Sequence, residues 1–301
     1  MKNKSIQIKE KLIVPPIKCQ GIKTKLVFFI KENINWNDSG IWIEPFLGSG
    51  VVVFNIRPQK ALLSDTNKHI IAFYNDLKFS RIDPKSISDF LKEEAPKLSK
   101  NGKEYYYEVR NRFNESPNSL DFLFLNRSCF NGLMRFNSKG EFNVPFGHKP
   151  ERFRQAYVTK ITNQVARVQE IIKNSDWEFV CQDWKKTVGK SREGDFIYID
   201  PPYIGRNTDY FNKWDDDDSL ELSKVVQDTG VNFALSMWLQ NKYRKNTYIT
   251  DCWKNCEVRT FNHFYHIGSS EKLRNEVVEA LVLGNNQQCQ ISEKVDLLEA
   301  I

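Results

Sequence analysis

Histidine is scarce, with four in 301 residues, and the six cysteines (Cys19, Cys129, Cys181, Cys252, Cys256, Cys289) include no C-x-x-C pair. No histidine stands at zinc-ligand spacing beside Cys252 and Cys256, so a four-ligand zinc site cannot be written from the sequence. The cysteines read as reduced, mostly packing residues. No apolar run approaches the roughly 20 residues that span a bilayer. Met1 to Lys11 is polar and lysine-rich, without the apolar centre of a signal peptide. No membrane partner is expected, and a cytoplasmic location is. There is no internal repeat or low-complexity segment. Hydrophobic residues at 40% and charged residues at 27% leave nothing that points to disorder. A chain of this length builds one large domain, or a core domain with an insertion, without needing disulfides or a structural metal.

What is present is uneven charge. The net charge is +6, with seven lysines against one glutamate in residues 1–25 and nine Lys or Arg against three acids in residues 122–173. Each window is +6 by itself, so the remainder is −6. Cations clustered on an otherwise acidic chain are the footprint of a polyanion partner, although a solvated basic face has the same composition.

The sharpest motif is Phe196-Ile-Tyr-Ile-Asp-Pro-Pro-Tyr203. Four apolar residues stopped by two prolines read as a buried strand that delivers Asp200, Pro201, Pro202 and Tyr203 to its carboxyl end, where open α/β sheets bind ligands. The prolines lack N–H groups, so the turn is stiff and its carbonyls are free to accept. A carboxylate, a free carbonyl and an aromatic face around one space suit a planar amine. A polar turn with a half-buried tyrosine is the plainer alternative.

A second unit begins at Ile41 to Glu44, a strand running into Pro45-Phe-Leu-Gly-Ser-Gly50 and a helix start. Glycines let the backbone approach a ligand, and a helix start offers unpaired N–H groups. Ala61 to Ser64 reads as the next strand, ending at Asp65, which is placed to accept from ribose hydroxyls or, alternatively, to cap the helix Lys68 to Leu77. From Arg81 to Asp176 the pattern turns helical, through Pro84 to Leu98, Glu104 to Phe113, Leu120 to Arg127 and Gln155 to Lys173. Asn137-Ser-Lys-Gly140 predicts a hairpin turn between Arg135–Phe136 and Phe142 to Val144. Strands resume at Glu178 to Cys181, Phe196 to Ile199, Asn232 to Ser236, Glu257 to Phe261 and Val277 to Leu283. The fold class is therefore α/β, its sheet split by a helical insertion carrying a β-hairpin. Asp215 to Asp218 reads as an acidic helix start rather than a cation site. The tail after Gly284 reads as peripheral, with Val295 to Ile301 as a short helix.

Taken together these residues resemble the Dam-type (alpha-group) N6-adenine DNA methyltransferases over about residues 14 to 284. The likeness rests on Lys18-Cys-Gln-Gly-Ile-Lys23, Glu44-Pro-Phe-Leu-Gly-Ser-Gly50, Asp200-Pro-Pro-Tyr203 and, most specifically, Leu125 to Asn137 continuing through Gly140 to Phe146. Val14 to Lys18, Gly21 to Leu26 and Asp200 to Arg206 are most similar to the EcoRV-type modification methylases. The resemblance implies a Rossmann-like S-adenosylmethionine-dependent methyltransferase fold. Residues 1–80 and 177–284 would form a discontinuous catalytic domain, residues 81–176 the target-recognition domain, and residues 285–301 a C-terminal tail.

It also implies S-adenosylmethionine as cofactor and double-stranded DNA as partner, with no metal required. A cognate restriction endonuclease is an implied associate, a monomer the expected state, and a bacterial or phage nucleoid the expected setting. Asp200, Pro201, Pro202 and Tyr203 would be catalytic. Cys19, Lys23, Phe46, Gly48, Gly50, Asp65, Trp184 and Asp200 would bind the cofactor, with Lys23 near its carboxylate and Trp184 beside its adenine, unless Trp184 only packs in the core. Cys19 departs from the tryptophan of Dam proper. Lys18, Asn131, Leu133, Arg135, Asn137 and Pro145 would meet DNA, Arg135 reading a guanine. The implied target contains GAT, with GATATC ahead of GATC. Two rivals remain: a catalytically inactive DNA-binding protein, and a restriction nuclease using Asp176 with Asp183-Trp-Lys185. Adenine in RNA or a protein glutamine would also fit a proline-proline-aromatic turn taken alone.

Overall fold

The computed structural model describes residues 11–203, 214–241, 245–266 and 274–284. The tail after Gly284, with its expected short helix, and Ile204 to Arg206 lie outside the described residues. Seven strands form one sheet: β1 (Trp42–Glu44), β2 (Lys60–Asp65), β3 (Asp176–Cys181), β4 (Phe196–Ile199), β5 (Asn232–Asn241), β6 (Glu257–His266) and β7 (Arg274–Gly284). Their order is β3-β2-β1-β4-β5-β7-β6. The first five pair in parallel, and β7 lies antiparallel between β5 and β6. The helices among the described residues are α1 (Val27–Asn33), α2 (Val53–Ile56), α3 (Lys68–Lys78), α4 (Pro84–Glu115), α5 (Ser119–Ser128), α6 (Gln155–Lys173), α7 (Trp184–Val188), α8 (Asp216–Asp228) and α9 (Tyr248–Cys252). None is long and apolar enough to cross a membrane.

Central parallel strands must be apolar on both faces, and alternate side chains divide accordingly between two cores. Trp42, Ala61, Leu63, Phe196 and Tyr198 join the core built with α1, α2, α3 and the inserted helices. Ile43, Leu62, Ile197 and Ile199 join the other, with Trp184, Val188, Leu222, Val226 and Ile249 from α7, α8 and α9 and Trp253 just after α9. From β1 the chain steps outward to β2 and β3, then returns to place β4 on the other side of β1. That reversal opens a crevice at the carboxyl ends of β1 and β4, where Glu44-Pro45 and Asp200-Pro201 emerge.

The two helices read at Pro84 to Leu98 and Glu104 to Phe113 form one run, bent at Gly102 (φ 50°, ψ −115°). Glycine adopts this left-handed conformation with little strain. The hairpin is held by two isolated bridges, Phe136 to Phe142 and Cys129 to Phe146, rather than by a ladder. Its turn is closed by Gly140 N–H donating to the Asn137 carbonyl at 2.9 Å. Phe136, Phe142 and Phe146 are buried, so packing anchors what backbone pairing does not. Phe136 stacks on His69 at 5.1 Å, and burial pushes the His69 imidazole down to about 4, so the ring is neutral at physiological pH.

β5, β6 and β7 run further than the sequence pattern predicts, because long antiparallel pairing carries stretches without clean alternation, including a register shift between Trp238 and Gln240. Asp215 caps α8 through reciprocal bonds with Asp218, so the acidic run is a helix start. Helices α1, α7 and α9, of 7, 5 and 5 residues, escape notice because they are too short to display periodicity. Cys129 is buried as a packing residue, whereas Cys181, at the end of β3, is exposed.

Candidate active site

The crevice between β1 and β4 is lined from both sides of the switch point. Cys19, Lys23, Phe46, Gly48, Asp65, Trp184, Asp200 and Pro202 all line it. Leu47 N–H donates to the Ser64 carbonyl at 2.9 Å and Gly50 N–H to the Leu47 carbonyl at 2.7 Å, which ties the glycine loop to β2 and closes its turn. Gly48 N–H donates to Asp65 Oδ2 at 2.9 Å, while Asn67 N–H donates to Asp65 Oδ1 at 2.8 Å. Asn67, not Asp65, caps α3. Thr66 N–H is a further backbone donor to this carboxylate, which leaves it room for about one more. Gly48 (φ +50°) and Gly50 (φ +69°) both use the left-handed region. Gly50 stands behind the loop, where an added Cβ would meet Phe54 Cε2 at 2.8 Å, and its contribution is to the turn.

Phe46, Trp184 and Trp214 form an aromatic cage lining the crevice, with centroid separations of 5.5 to 6.3 Å. Trp184 is 5% exposed, packs in the core and also lines the crevice. Cys19 lies beside the loop, its Sγ 3.8 Å from where a Gly48 Cβ would stand. Burial, then the nearby Asp65 and Asp200 carboxylates, push its thiol well above the usual range, so it is a wall and not a nucleophile.

In the same crevice, Lys23 Nζ donates to Asp200 Oδ1 at 2.6 Å. Burial works against the Lys23 charge, but the Asp200 carboxylate outweighs it and holds the ammonium above the ordinary lysine range. Asp200 is pushed up by burial and drawn back in part by Lys23. Lys23 also donates to the Gly21 carbonyl at 3.0 Å and lies 5.0 Å from the Tyr203 ring centroid. Glu44, 2% exposed, accepts from Trp42 Nε1 at 3.0 Å, and burial raises its carboxyl to about 8. A second cleft adjoins the first through Pro202 and Trp214 and is lined by Pro201, Tyr203, Met237, Trp238, Tyr248 and Trp253.

The hairpin reaches this crevice. Met134 and Phe136 line the first crevice, and Asn67 Nδ2 lies 3.6 Å from Met134 Sδ. Lys18 is tied to α5 by reciprocal bonds with the Asn126 side chain at 2.8 and 2.9 Å. Its alkyl chain lies on Gly132, where an added Cβ would fall 2.6 Å from Lys18 Cδ. Burial, followed by Arg152 and Arg127, lowers the Lys18 ammonium to about 8. Arg127 and Arg152 sit 4.8 and 4.5 Å from the Tyr157 ring, and Arg152 Nε donates to the Arg127 carbonyl. Arg135 Nε donates to Asn143 Oδ1 at 2.8 Å. Asn131 (φ 53°) and Pro145 are exposed, Leu133 and Asn137 half-buried. Phe130, 45% exposed at the start of a short 3-10 turn, is an exposed apolar side chain that the sequence reading passes over.

The nuclease reading fails on distance. Asp176 begins β3 and Asp183 follows its end, so roughly 16 Å or more of strand separates them at the usual rise per residue. Lys185 pairs instead with Glu221 at 2.7 Å.

Residues 20–272 match the family model described as D12 class N6 adenine-specific DNA methyltransferase. The type II methyltransferase M.MjaIII of Methanocaldococcus jannaschii is 32% identical over 257 residues, covering 77% of this chain and 85% of its own. The DNA adenine methylase of Vibrio cholerae serotype O1 is 30% identical over 279 residues, 89% of this chain and 94% of its own. The DNA adenine methylase of Escherichia coli (strain K12) is 32% identical over 194 residues, 62% of this chain and 64% of its own.

Proposed function

Because the chain belongs to the D12 class N6 adenine-specific DNA methyltransferases, we propose that it transfers a methyl group from S-adenosylmethionine to the N6 amine of an adenine everted from duplex DNA. The observation that carries this reading is Asp200, held by Lys23 in the crevice that the glycine loop lines. The crevice fits the donor: an aromatic cage for an adenine, an Asp65 carboxylate to accept from a ribose hydroxyl, and Gly48 where the backbone must come close. When bound, S-adenosylmethionine supplies an activated methyl on a sulfonium, so the protein needs no covalent nucleophile. Lys23, read from the sequence as a partner of the donor's carboxylate, serves Asp200 first.

The amine of adenine is a weak nucleophile because its lone pair is delocalised into the ring. Asp200 and the Pro201 carbonyl would accept its two hydrogens, favouring a more tetrahedral nitrogen pointed at the methyl group. Tyr203 lines the second cleft, where an everted base can stack on it. Pro202, shared by both clefts, keeps the turn between them rigid.

Residues 81–176 would act as the target-recognition region, with Arg135 on a guanine, Leu133 and Pro145 at base edges, Asn131 and Phe130 filling the vacated stack, and Asn137 along the hairpin. Arg127 and Arg152 would meet phosphate. Lys18 adds a pH dependence. Free, its ammonium titrates near 8; beside a guanine acceptor or a phosphate the charged form is favoured, so the bound protein holds more protons above that pH. DNA affinity is therefore expected to fall as pH rises from about 8, by up to about tenfold per unit. Lys18→Arg should flatten the slope, and a parent whose affinity is level between about pH 7 and about pH 9.5 would exclude Lys18 from the interface.

The target is GATATC in preference to GATC, from the likeness to EcoRV-type enzymes, and the protein acts as a cytoplasmic monomer in the modification arm of a restriction system. Mapping N6-methyladenine in DNA from cells that express it tests the specificity: methylation confined to GATATC is expected. Methylation at every GATC would replace that target with the shorter one.

A further inference from the structure

β7 carries Val277-Val-Glu-Ala-Leu-Val-Leu283, an apolar strand interrupted by a single acid. Glu279 is 2% exposed and pairs in register with Trp238 on β5 and Phe261 on β6. An acid so placed must lose its hydration, which is unfavourable unless protein donors replace the lost water. Glu279 Oε2 accepts the phenolic hydrogen of Tyr203 at 3.2 Å. Its charge also reaches Lys23 and Asp200, raising both. Tyr203 is thus gripped twice, by a carboxylate at its hydroxyl and by the Lys23 ammonium 5.0 Å from its ring centroid. Neither group belongs to the motif that carries Tyr203: one comes from the N-terminal segment and the other from the last strand.

We propose that Glu279 is a positioning residue that fixes where the Tyr203 ring sits, and through it the place of the acceptor base, by holding the Tyr203 hydroxyl. This rests on the reading of Tyr203 as the surface on which the base stacks. A ring free to swing away lets the amine drift from the line of attack, and displacements of this kind reduce turnover far more than binding. The contact is long for a hydroxyl and a carboxylate, and such contacts often tighten once the substrate is seated.

The test is a double-mutant cycle on the full chain with a duplex substrate, using Glu279→Gln, Tyr203→Phe and the two combined, with Tyr203→Ala as the control for stacking. Glu279→Gln should lower kcat by about 10- to 100-fold with KM for S-adenosylmethionine unchanged, and Tyr203→Phe should match it. The combined variant should be no slower than either single one, because both remove the same contact. A 2-aminopurine at the target position should fluoresce more strongly in both variants than in the parent, since a loosened ring quenches it less. If Glu279→Gln slows the Tyr203→Phe protein by the same factor as it slows the parent, Glu279 acts elsewhere and the proposal falls. If Glu279→Gln does not fold, Tyr203→Phe alone decides: parental kcat and emission would overturn the proposal. Tyr203→Ala with parental turnover would instead remove the stacking premise, a failure distinct from equal loss in both backgrounds.

Discussion

Asp200→Asn is expected to reduce methyl transfer by at least about 10³-fold while leaving S-adenosylmethionine binding nearly intact, at the upper end of what loss of a preorganised electrostatic group produces. The substitution preserves shape but replaces a charged acceptor with a neutral amide. It also strands Lys23, whose side chain is 3% exposed and whose counter-ion at 2.6 Å is lost. Breaking a buried pair by removing one partner destabilises by about 3–5 kcal/mol, so the variant should also melt earlier. The sign follows from linkage. The folded Lys23 pKa is raised, so its ammonium contributes stability that is full below the unfolded lysine value and lost as pH rises through the folded one, while the raised Asp200 carboxyl offsets part of it at neutral pH. Asp200→Asn removes this stabilisation at neutral pH. Adding Lys23→Met should restore much of the melting temperature and none of the activity. Recovery of turnover in the double variant would mean that Asp200 serves only to neutralise Lys23.

Arg135→Ala should lower discrimination at one guanine of the target by about 1–3 kcal/mol, with a smaller change in overall DNA affinity. The bond from Arg135 Nε to Asn143 Oδ1 orients the guanidinium from the facing limb of the hairpin. The neighbouring Phe136 and Phe142 are buried and hold the hairpin without it, so melting temperature should scarcely move. Single-turnover rates on duplexes with each target position replaced in turn would give the profile. A profile identical to the parent's would take Arg135 out of the readout.

Much of the site was legible because its chemistry is local in sequence. The proline turn at Asp200 and the glycine loop at Gly48 each carry their own backbone signal, and the strands ahead of them bury alternate residues on two cores. Asp65 was legible as the acid ending β2, yet its bond with Gly48 N–H joins two strands and has no local signal. The same holds for the Lys23–Asp200 pair, separated by 177 positions. Trp214 entered the aromatic cage unannounced because nothing near it in sequence marks a ligand wall. Glu279 did carry a signal, a lone acid in an apolar strand, which the reading of β7 as a core strand overlooked. Met134 and Phe136 were legible as part of the hairpin, but not as a wall of the crevice.

The most direct measurement follows the methyl group itself. The purified protein is incubated with methyl-labelled S-adenosylmethionine and a duplex containing GATATC, the DNA is digested to nucleosides, and the label is assigned by mass and retention. The account predicts label on N6-methyldeoxyadenosine alone, and none from Asp200→Asn. Label on cytosine, or equal adenine labelling by Asp200→Asn and the parent, would contradict it.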